Sequence, residues 1–209
     1  MSEILKVENT NLEFLLEYST RLLLAGRVVS FPTDTYYALG ADPLNLAAIN
    51  EVFRLKRRAS GRPLPLLVAS IDQAADLTDD PPRLFFQLAE KFWPGPLTIV
   101  VPASRQLPLK VTANTGKVGL RWPKNPLAVA LIAAAGRPLT GTSANITENP
   151  PCNTADEVNQ QLGQNLPLII DGGTAKGGLA STVVELTEAG GRIVRHGPVT
   201  ESDLKEFFG

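Results

Sequence analysis

The sequence VVSFPTDTYYALG occupies residues 28–40 and joins a short apolar run to a polar segment. Its first four residues predict a buried strand, and the Pro-Thr-Asp-Thr segment that follows predicts the loop leaving that strand. In open α/β sheets, ligands gather beyond the carboxyl ends of strands, where the hydroxyls of Thr33 and Thr35 can bond a small polar substrate. A turn whose hydroxyls bond their own backbone explains the same residues. The local sequence leaves both interpretations open.

Helical periodicity alternates with short apolar runs along the rest of the chain. Helices are predicted at residues 12–23, 45–56, 82–92, 126–135, 154–162 and 201–207. Strands are predicted at residues 28–31, 64–69, 97–101, 118–121, 138–142, 167–170, 182–186 and 192–195. Because strands and helices are mixed throughout, the pattern predicts an α/β fold, with a twisted mixed sheet and helices on its faces.

Length and composition indicate a folded globular protein. The chain has 209 residues, of which 44% are hydrophobic and 20% are charged, as in average soluble proteins. We expect one domain over residues 1–209. The acidic N-terminal segment does not resemble a secretion signal, and no apolar run approaches the roughly 18 residues that span a bilayer. We therefore expect a cytoplasmic protein without a membrane partner.

Two residue counts and the net charge exclude several classes of function. Cys152 and His196 are the single cysteine and the single histidine of the chain. An intrachain disulfide is therefore impossible, and a Ser-His-Asp triad or a metal site built by the protein is not expected. The formal net charge of −1 provides no global attraction for nucleic acid, so any RNA contact must be local.

A cluster of five cations lies at residues 54–62, at the end of the second predicted helix. Lys56 and Arg58 are two positions apart and do not share a helix face, so they can converge on one ligand only if the helix ends beside them. Gly61 and Pro63 favour such an ending. The cluster is equally well explained as a solvated helix C-terminus or as a site for polyanionic phosphate.

Two further segments place small polar residues after a predicted strand. Residues 138–145 read PLTGTSAN, which suits hydroxyl and amide contacts to a nucleotide but also suits a capped strand end. Residues 171–178 read DGGTAKGG, and STVV follows at residues 181–184. These glycines permit a loop that cradles phosphate, although their spacing fits neither the Walker pattern nor the dinucleotide fingerprint. A flexible hairpin loop needs the same glycines.

Seven short motifs occur along the chain in a specific order. They are PTDT-x-Y at residues 32–37, K-x-R at 56–58, FWPGPLT at 92–98, LR-x-P at 120–123, SAN at 143–145, DGG at 171–173 and STV at 181–183. In this order they resemble the YrdC family, whose members are the L-threonylcarbamoyladenylate synthases. The resemblance covers the chain from residue 28 to about residue 197. It implies a YrdC-like fold in its single-domain form, since longer members carry an additional C-terminal domain.

The resemblance also implies a nucleotidyltransferase that joins L-threonine, bicarbonate and ATP into threonylcarbamoyl-AMP. That product serves the threonylcarbamoyl modification of the adenosine next to the anticodon in tRNA, through downstream tRNA threonylcarbamoyl transferase proteins. By motif position, threonine would be bound by Thr35, Arg121 and Ser181. ATP would be bound by Arg58, Ser143, Asn145 and Arg195, and catalysis would rest on Lys56 and Arg58. ATP is a substrate here, and Mg²⁺ is expected to arrive with it.

Four positions depart from the usual pattern of the family. They are Ala38, where glycine is usual, Ala59, where proline is usual, Ala180, where glutamate is usual, and Cys152, where serine is usual. Two other functions stay open. One is an RNA-binding module that uses the cation cluster, and the other is a paralogue of the same fold that acts on a different acceptor.

Overall fold

Two mixed β-sheets form the fold in the computed structural model, which describes residues 2–59 and 61–208. The strands are β1 (Glu3–Lys6), β2 (Val29–Pro32), β3 (Tyr37–Gly40), β4 (Leu66–Leu67), β5 (Leu97–Pro102), β6 (Lys117–Arg121), β7 (Leu139–Thr140), β8 (Thr142–Ser143), β9 (Leu168–Asp171), β10 (Thr182–Thr187) and β11 (Gly190–Arg195). The α-helices are α1 (Leu12–Leu24), α2 (Leu46–Lys56), α3 (Ile71–Ala75), α4 (Arg83–Phe92), α5 (Leu109–Thr112), α6 (Pro126–Ala135), α7 (Ala155–Leu162) and α8 (Glu201–Phe208), and a 3₁₀ turn spans Val7–Asn9. The predicted α/β class is confirmed, with the strands divided between two sheets.

The first sheet has five strands in the order β1-β9-β2-β3-β8. Strands β2 and β3 form an antiparallel hairpin, with Val29 opposite Gly40 and Pro32 opposite Tyr37, and every residue of both strands is buried. The loop of this hairpin contains the two threonines noted above. β3 is not predicted from the sequence, because alanine and glycine have low strand propensity and no polar alternation marks the segment.

The second sheet has six strands in the order β11-β10-β5-β6-β4-β7. Strand β5 pairs in parallel with β10 and antiparallel with β6. In this register Glu185 lies opposite Val100, and Val100 lies opposite Gly119, so the three residues form one row across the sheet. Because successive side chains of a strand alternate between faces, Ser181, Val183 and Glu185 share one face.

Helices cover both sheets with apolar side chains. Leu15 of α1 and Leu131 of α6 pack with Phe31 of β2 in one buried cluster. A larger cluster includes Val52 of α2 and Leu88 of α4. Among the residues that the structure describes, no helix combines the length and the apolar character needed to cross a membrane.

The predicted strand at residues 138–142 is wrong, because the chain changes sheets within it. β7 belongs to the six-stranded sheet and β8 to the five-stranded sheet, with Gly141 between them. A Cβ atom at Gly141 would lie 2.5 Å from Leu67 Cγ, closer than van der Waals contact allows. Glycine at this position therefore lets the chain pass tightly from one sheet to the other.

Candidate active site

A cavity of about 490 Å³ is lined by residues of both sheets. Six of the eight site residues predicted from the sequence line it, namely Thr35, Arg58, Arg121, Ser143, Ser181 and Arg195. The other two, Lys56 and Asn145, lie directly behind the wall and contact Ser143. The structure therefore brings residues from six separate segments of the sequence to one place.

Arg121 ends strand β6 and is buried at the cavity wall. Its Nη1 donates to Thr35 Oγ1 at 3.0 Å, and its Nε donates to the Gly95 carbonyl at 3.0 Å. Its Nη2 lies 2.6 Å from Asp34 Oδ1, but the two groups are not aligned for a hydrogen bond. Burial lowers the pKa of Arg121 and the Asp34 carboxylate opposes that shift, so the guanidinium stays charged. A charged fork beside a hydroxyl is the arrangement that recognises a carboxylate.

The loop between β2 and β3 combines the two interpretations that the sequence left open. Thr33 makes the turn, because its Oγ1 accepts from the Thr35 amide at 3.2 Å and donates to the Tyr36 carbonyl at 2.7 Å. Thr35 instead directs its hydroxyl to Arg121 and lines the cavity. The turn thus orients the second threonine toward the site.

Ser181 is held from both sides at the start of strand β10. Its hydroxyl lies 2.8 Å from Thr98 Oγ1. Arg195 Nη2 donates to Ser181 Oγ at 3.0 Å and to the Ser181 carbonyl at 2.8 Å. Arg195 itself lies at the exposed rim. Sequence reasoning missed Thr98 as a site residue, although it ends the FWPGPLT motif.

Arg58 reaches the cavity because helix α2 ends just before it. Arg57 adopts the left-handed conformation, with φ 50°, and turns the chain out of the helix. Arg58 then donates from Nη2 to the Pro63 carbonyl at 2.8 Å and from Nη1 to Thr142 Oγ1 at 3.3 Å. Its buried Nε has no hydrogen-bond partner within residues 2–59 and 61–208. Burial, followed by the charge of Arg62, lowers the pKa of Arg58.

Lys56 is not the exposed cation of a solvated helix end. It is 3% exposed, and its ammonium donates to the Ser143 carbonyl at 2.6 Å and to Asn145 at two atoms, the carbonyl at 2.9 Å and Oδ1 at 3.1 Å. Asn145 Oδ1 also accepts from Ser143 Oγ at 2.5 Å. Lys56 therefore organises the SAN motif from behind the cavity wall. The five cations do not form one exposed strip, because Lys56 is buried and Arg58 is half-buried. Arg54 is exposed but pairs with Glu51.

The buried ammonium of Lys56 makes stability depend on pH. Burial, and then the charge of Arg58, lowers its pKa to about 7, from about 10.4 in an unfolded chain. Between these values the unfolded chain binds more protons, so the stabilising contribution is complete above the upper value and is lost as pH falls toward about 7. We expect the unfolding free energy of the wild type, relative to Lys56→Met, to rise with pH across this window by up to about 1.4 kcal/mol per pH unit. Denaturant unfolding of both proteins measures the difference, and parallel pH curves would contradict the lowered pKa.

The glycine-rich segment at residues 171–178 does not line the cavity. It packs behind the threonine loop, where Gly177 N donates to the Thr35 carbonyl at 2.7 Å and Tyr37 OH donates to the Gly173 carbonyl at 2.7 Å. Gly177 and Gly173 have φ of 64° and 83°, a conformation that favours glycine. The glycines therefore serve the loop, and the structure gives no support to a phosphate cradle there.

Comparison with known proteins identifies the family of this site. The Sua5/YciO/YrdC family model, which carries the description "Telomere recombination", matches residues 21–197. The chain belongs to the Sua5/YciO/YrdC family. This confirms the resemblance drawn from the seven motifs, and the match covers most of the 209 residues.

Relatives in this family share about a third of their residues with the chain. The threonylcarbamoyl-AMP synthase of Pyrococcus abyssi is 34% identical over 209 residues, which cover 100% of this chain and 62% of the relative. That of Bacillus subtilis is 36% identical over 90% of this chain and 55% of its own length. The chain thus spans little more than half the length of these two relatives. The Vibrio campbellii threonylcarbamoyl-AMP synthase is 36% identical over 76% of this chain and 87% of its own length.

Solved structures of the family have the same fold. P. abyssi Sua5 in complex with L-threonine has a TM-score of 0.94 at 33% identity, over 100% of this chain and 61% of that protein. E. coli YciO has a TM-score of 0.87 at 25% identity, over 99% of this chain and 100% of that protein. The YrdC-like fold predicted from the sequence is confirmed.

Two of the four departures from the family pattern lie in the cavity wall. Ala38 and Ala180 both line it. Ala38 sits in β3 without a positive φ, so its methyl group is accommodated without backbone strain. Cys152 is buried, and burial raises the pKa of its thiol to about 11, which leaves no reactive thiolate. Ala59 is exposed.

Proposed function

We propose that the chain makes L-threonylcarbamoyl-AMP, with release of pyrophosphate and water, from L-threonine, bicarbonate and ATP. The observation that carries this proposal is the buried Arg121 guanidinium, which shares one cavity with the Thr35 and Ser181 hydroxyls. The names of the relatives, threonylcarbamoyl-AMP synthase, support the same activity.

Threonine would bind at the Arg121 end of the cavity. The guanidinium can donate parallel hydrogen bonds to the substrate carboxylate, in addition to its bond to Thr35 and its ion pair with Asp34. Thr35 and Ser181 would then face the amino and hydroxyl groups of the ligand. The L-threonine complex of P. abyssi Sua5 supports a threonine site in this fold.

ATP would bind with its phosphates toward Arg58, Ser143 and Arg195, and Asn145 would support Ser143 from behind the wall. The threonine amine and bicarbonate would form a carbamate, whose oxygen displaces pyrophosphate from the α-phosphate. Such a displacement needs in-line positioning and neutralised charge more than covalent help from the protein. Arg58 would contact phosphate oxygens. Lys56 would hold Ser143 and Asn145 in place, and bound phosphate would favour its ammonium form, which adds its charge to the site.

Mg²⁺ would reach this site on the phosphates of ATP. Glu185 is the acidic side chain among the described residues that line the cavity, and it pairs with Lys117 and Arg192. No group of three His, Cys, Asp or Glu side chains suited to a metal occurs within residues 2–59 and 61–208. A cavity with this one acidic side chain in its described lining fits an ion that is held mainly by phosphate oxygens, which is how Mg²⁺ usually binds with nucleotides.

Pyrophosphate release tests the proposal directly. We expect release only when threonine, bicarbonate and ATP are all present, and we expect mass spectrometry to detect threonylcarbamoyl-AMP. Omitting each substrate in turn provides the controls. ATP turnover that is indifferent to threonine would overturn the assignment and would favour the paralogue with another acceptor.

We further propose that the chain acts as one domain in the cytoplasm and passes its product to tRNA threonylcarbamoyl transferase proteins. Modification of tRNA should then require those proteins in addition to this chain. Weak RNA contact would involve the exposed Arg57 and Arg62, the remaining members of the cation cluster. Such contact would weaken steeply with salt. Tight RNA binding without nucleotide turnover would favour the RNA-binding alternative.

A further inference from the structure

The end of the cavity opposite Arg121 contains a pair of opposite charges that the proposed reaction does not use. Lys117 Nζ bonds Glu185 Oε1, and both residues line the cavity. Arg192 Nη2 bonds the other carboxylate oxygen from the neighbouring strand β11. Glu185 is 8% exposed, whereas the side chain of Arg192 is 71% exposed and does not line the cavity. The carboxylate therefore faces inward, with one partner inside the cavity and one outside.

The charge pair lies at a defined distance from the threonine end. Lys117 and Arg121 are the first and last residues of β6, four positions apart on the same face. At a strand rise of about 3.3 Å per residue, their Cα atoms are separated by roughly 13 Å. An extended nucleotide attached to threonine at Arg121 would span this distance and bring its base to the charge pair.

The wall between the two ends suits a flat apolar group. Val100 and Val183 line this part of the cavity, and Gly119 lies beside Val100 in the same row of the sheet. A Cβ atom at position 119 would lie 3.1 Å from Thr98 Cγ2, so a side chain there would crowd the wall. Gly119 adds no side chain to the wall, so Val100 and Val183 form an apolar surface between two polar ends, as is typical of a ligand site.

We propose that Lys117 and Glu185 form the base-selecting end of the cavity and favour adenine over hypoxanthine and guanine. Glu185 accepts a hydrogen bond from the 6-amino group, and Lys117 donates one to N1. The inference rests on the proposed function, because it assumes that the nucleotide lies with its phosphates at Arg58. It adds the residues that choose the nucleotide.

The hydrogen-bonding capacity of the pair matches the adenine edge. A carboxylate has about four lone-pair sites, so Glu185 can accept from the base while keeping both cations. The bonds to Lys117 and Arg192 lower the pKa of Glu185, which keeps it an acceptor without a proton. Lys117 has three donors, of which one is used by Glu185. Hypoxanthine and guanine present an oxygen at position 6 and a donor at N1, which would face the carboxylate and the ammonium with the wrong polarity.

A purely structural explanation must be distinguished from this one. Glu185 and Arg192 are directly opposite each other on β10 and β11, and such cross-strand charge pairs stabilise a sheet slightly. Arg192→Met removes that cross-strand contact from the exposed side and leaves the cavity intact. It is therefore the matched control for substitutions at Glu185 and Lys117.

The test compares kcat/KM for ATP, inosine triphosphate and purine riboside triphosphate, measured as pyrophosphate release with threonine and bicarbonate. We expect the wild type to prefer ATP to the inosine nucleotide by about 10- to 100-fold. Purine riboside triphosphate, which lacks any group at position 6, should fall between the two. Glu185→Gln should bring the ratio close to one, because an amide can donate to the 6-oxygen or accept from the 6-amino group. Lys117→Met should lower the ratio, and Arg192→Met should preserve it.

Several outcomes would overturn the inference. The inference fails if the wild type uses ATP and the inosine nucleotide equally well. It also fails if Glu185→Gln leaves the ratio of the two kcat/KM values unchanged. If Arg192→Met loses the preference for ATP as fully as Glu185→Gln does, the role of Lys117, Glu185 and Arg192 is to stabilise the sheet. If ATP gives no pyrophosphate at all, the proposed function fails separately, and calorimetric binding of the three nucleotides to the wild type still tests the base preference.

Discussion

Replacing Arg121 by lysine is expected to lower kcat/KM for threonine by about 10²- to 10³-fold. Lysine keeps the positive charge but cannot present two parallel donors to a carboxylate while also holding Thr35. The effect should appear mainly in KM for threonine, because the group is proposed to bind the substrate and not the leaving pyrophosphate. Pyrophosphate release at varied threonine, with ATP and bicarbonate saturating, measures it.

Arg137→Lys is the matched control for this substitution. Arg137 also pairs with an aspartate, Asp42 at 2.5 Å, but it lies outside the cavity wall. We expect its kcat/KM for threonine to stay near that of the wild type. A similar loss in both variants would mean that ion pairing of arginine supports the fold generally, and it would remove Arg121 from the threonine site.

Replacing Lys56 by methionine is expected to lower kcat by about 10²- to 10³-fold, the range for loss of one preorganised electrostatic group. The variant should also lose stability, about 2–3 kcal/mol in unfolding free energy, because buried oxygens of Ser143 and Asn145 lose their donor. KM for threonine should change little, since Arg121 and Thr35 are untouched. This split between kcat and KM separates a positioning effect on the phosphate site from general damage.

The measurement needs activity per folded molecule, with the folded fraction determined by circular dichroism at the assay temperature. Arg54→Ala serves as the control, because Arg54 lies on the same helix end but is exposed and contacts Glu51. We expect it to leave kcat unchanged. Normal turnover in Lys56→Met would contradict the proposal that Lys56 supports the phosphate site, whatever its melting temperature.

Local signals in the sequence predicted most helices well. Helix α6 was predicted at its observed bounds. In the structure Asn125 caps it, Pro126 lies in its first turn and Gly136 ends it with φ 64°. The strand at residues 138–142 was predicted wrongly, since a short apolar run does not reveal that its two halves join different sheets. Tertiary pairing decides such cases.

The site was predicted in part, and the misses have physical causes. Spacing near the end of α2 indicated that Lys56 and Arg58 could converge, but burial of Lys56 depends on the SAN loop, which is 87 residues away in the sequence. Likewise, Lys117 and Glu185 are 68 residues apart, and no local pattern marks them as a pair. Contacts between distant strands become visible only when the sheet register is known.

The division of the cavity wall between two sheets has a thermodynamic consequence. Thr35 lies in the β2–β3 loop and Ser143 in β8 of the five-stranded sheet. Arg121 ends β6 and Ser181 precedes β10, both of the six-stranded sheet. A ligand that contacts residues of both sheets stabilises their association, so its binding free energy opposes any motion that separates the sheets. By mass action, the cost of opening therefore grows with ligand concentration. Separation of the two sheets should therefore cost less free energy in the ligand-free protein than in the ligand-bound protein.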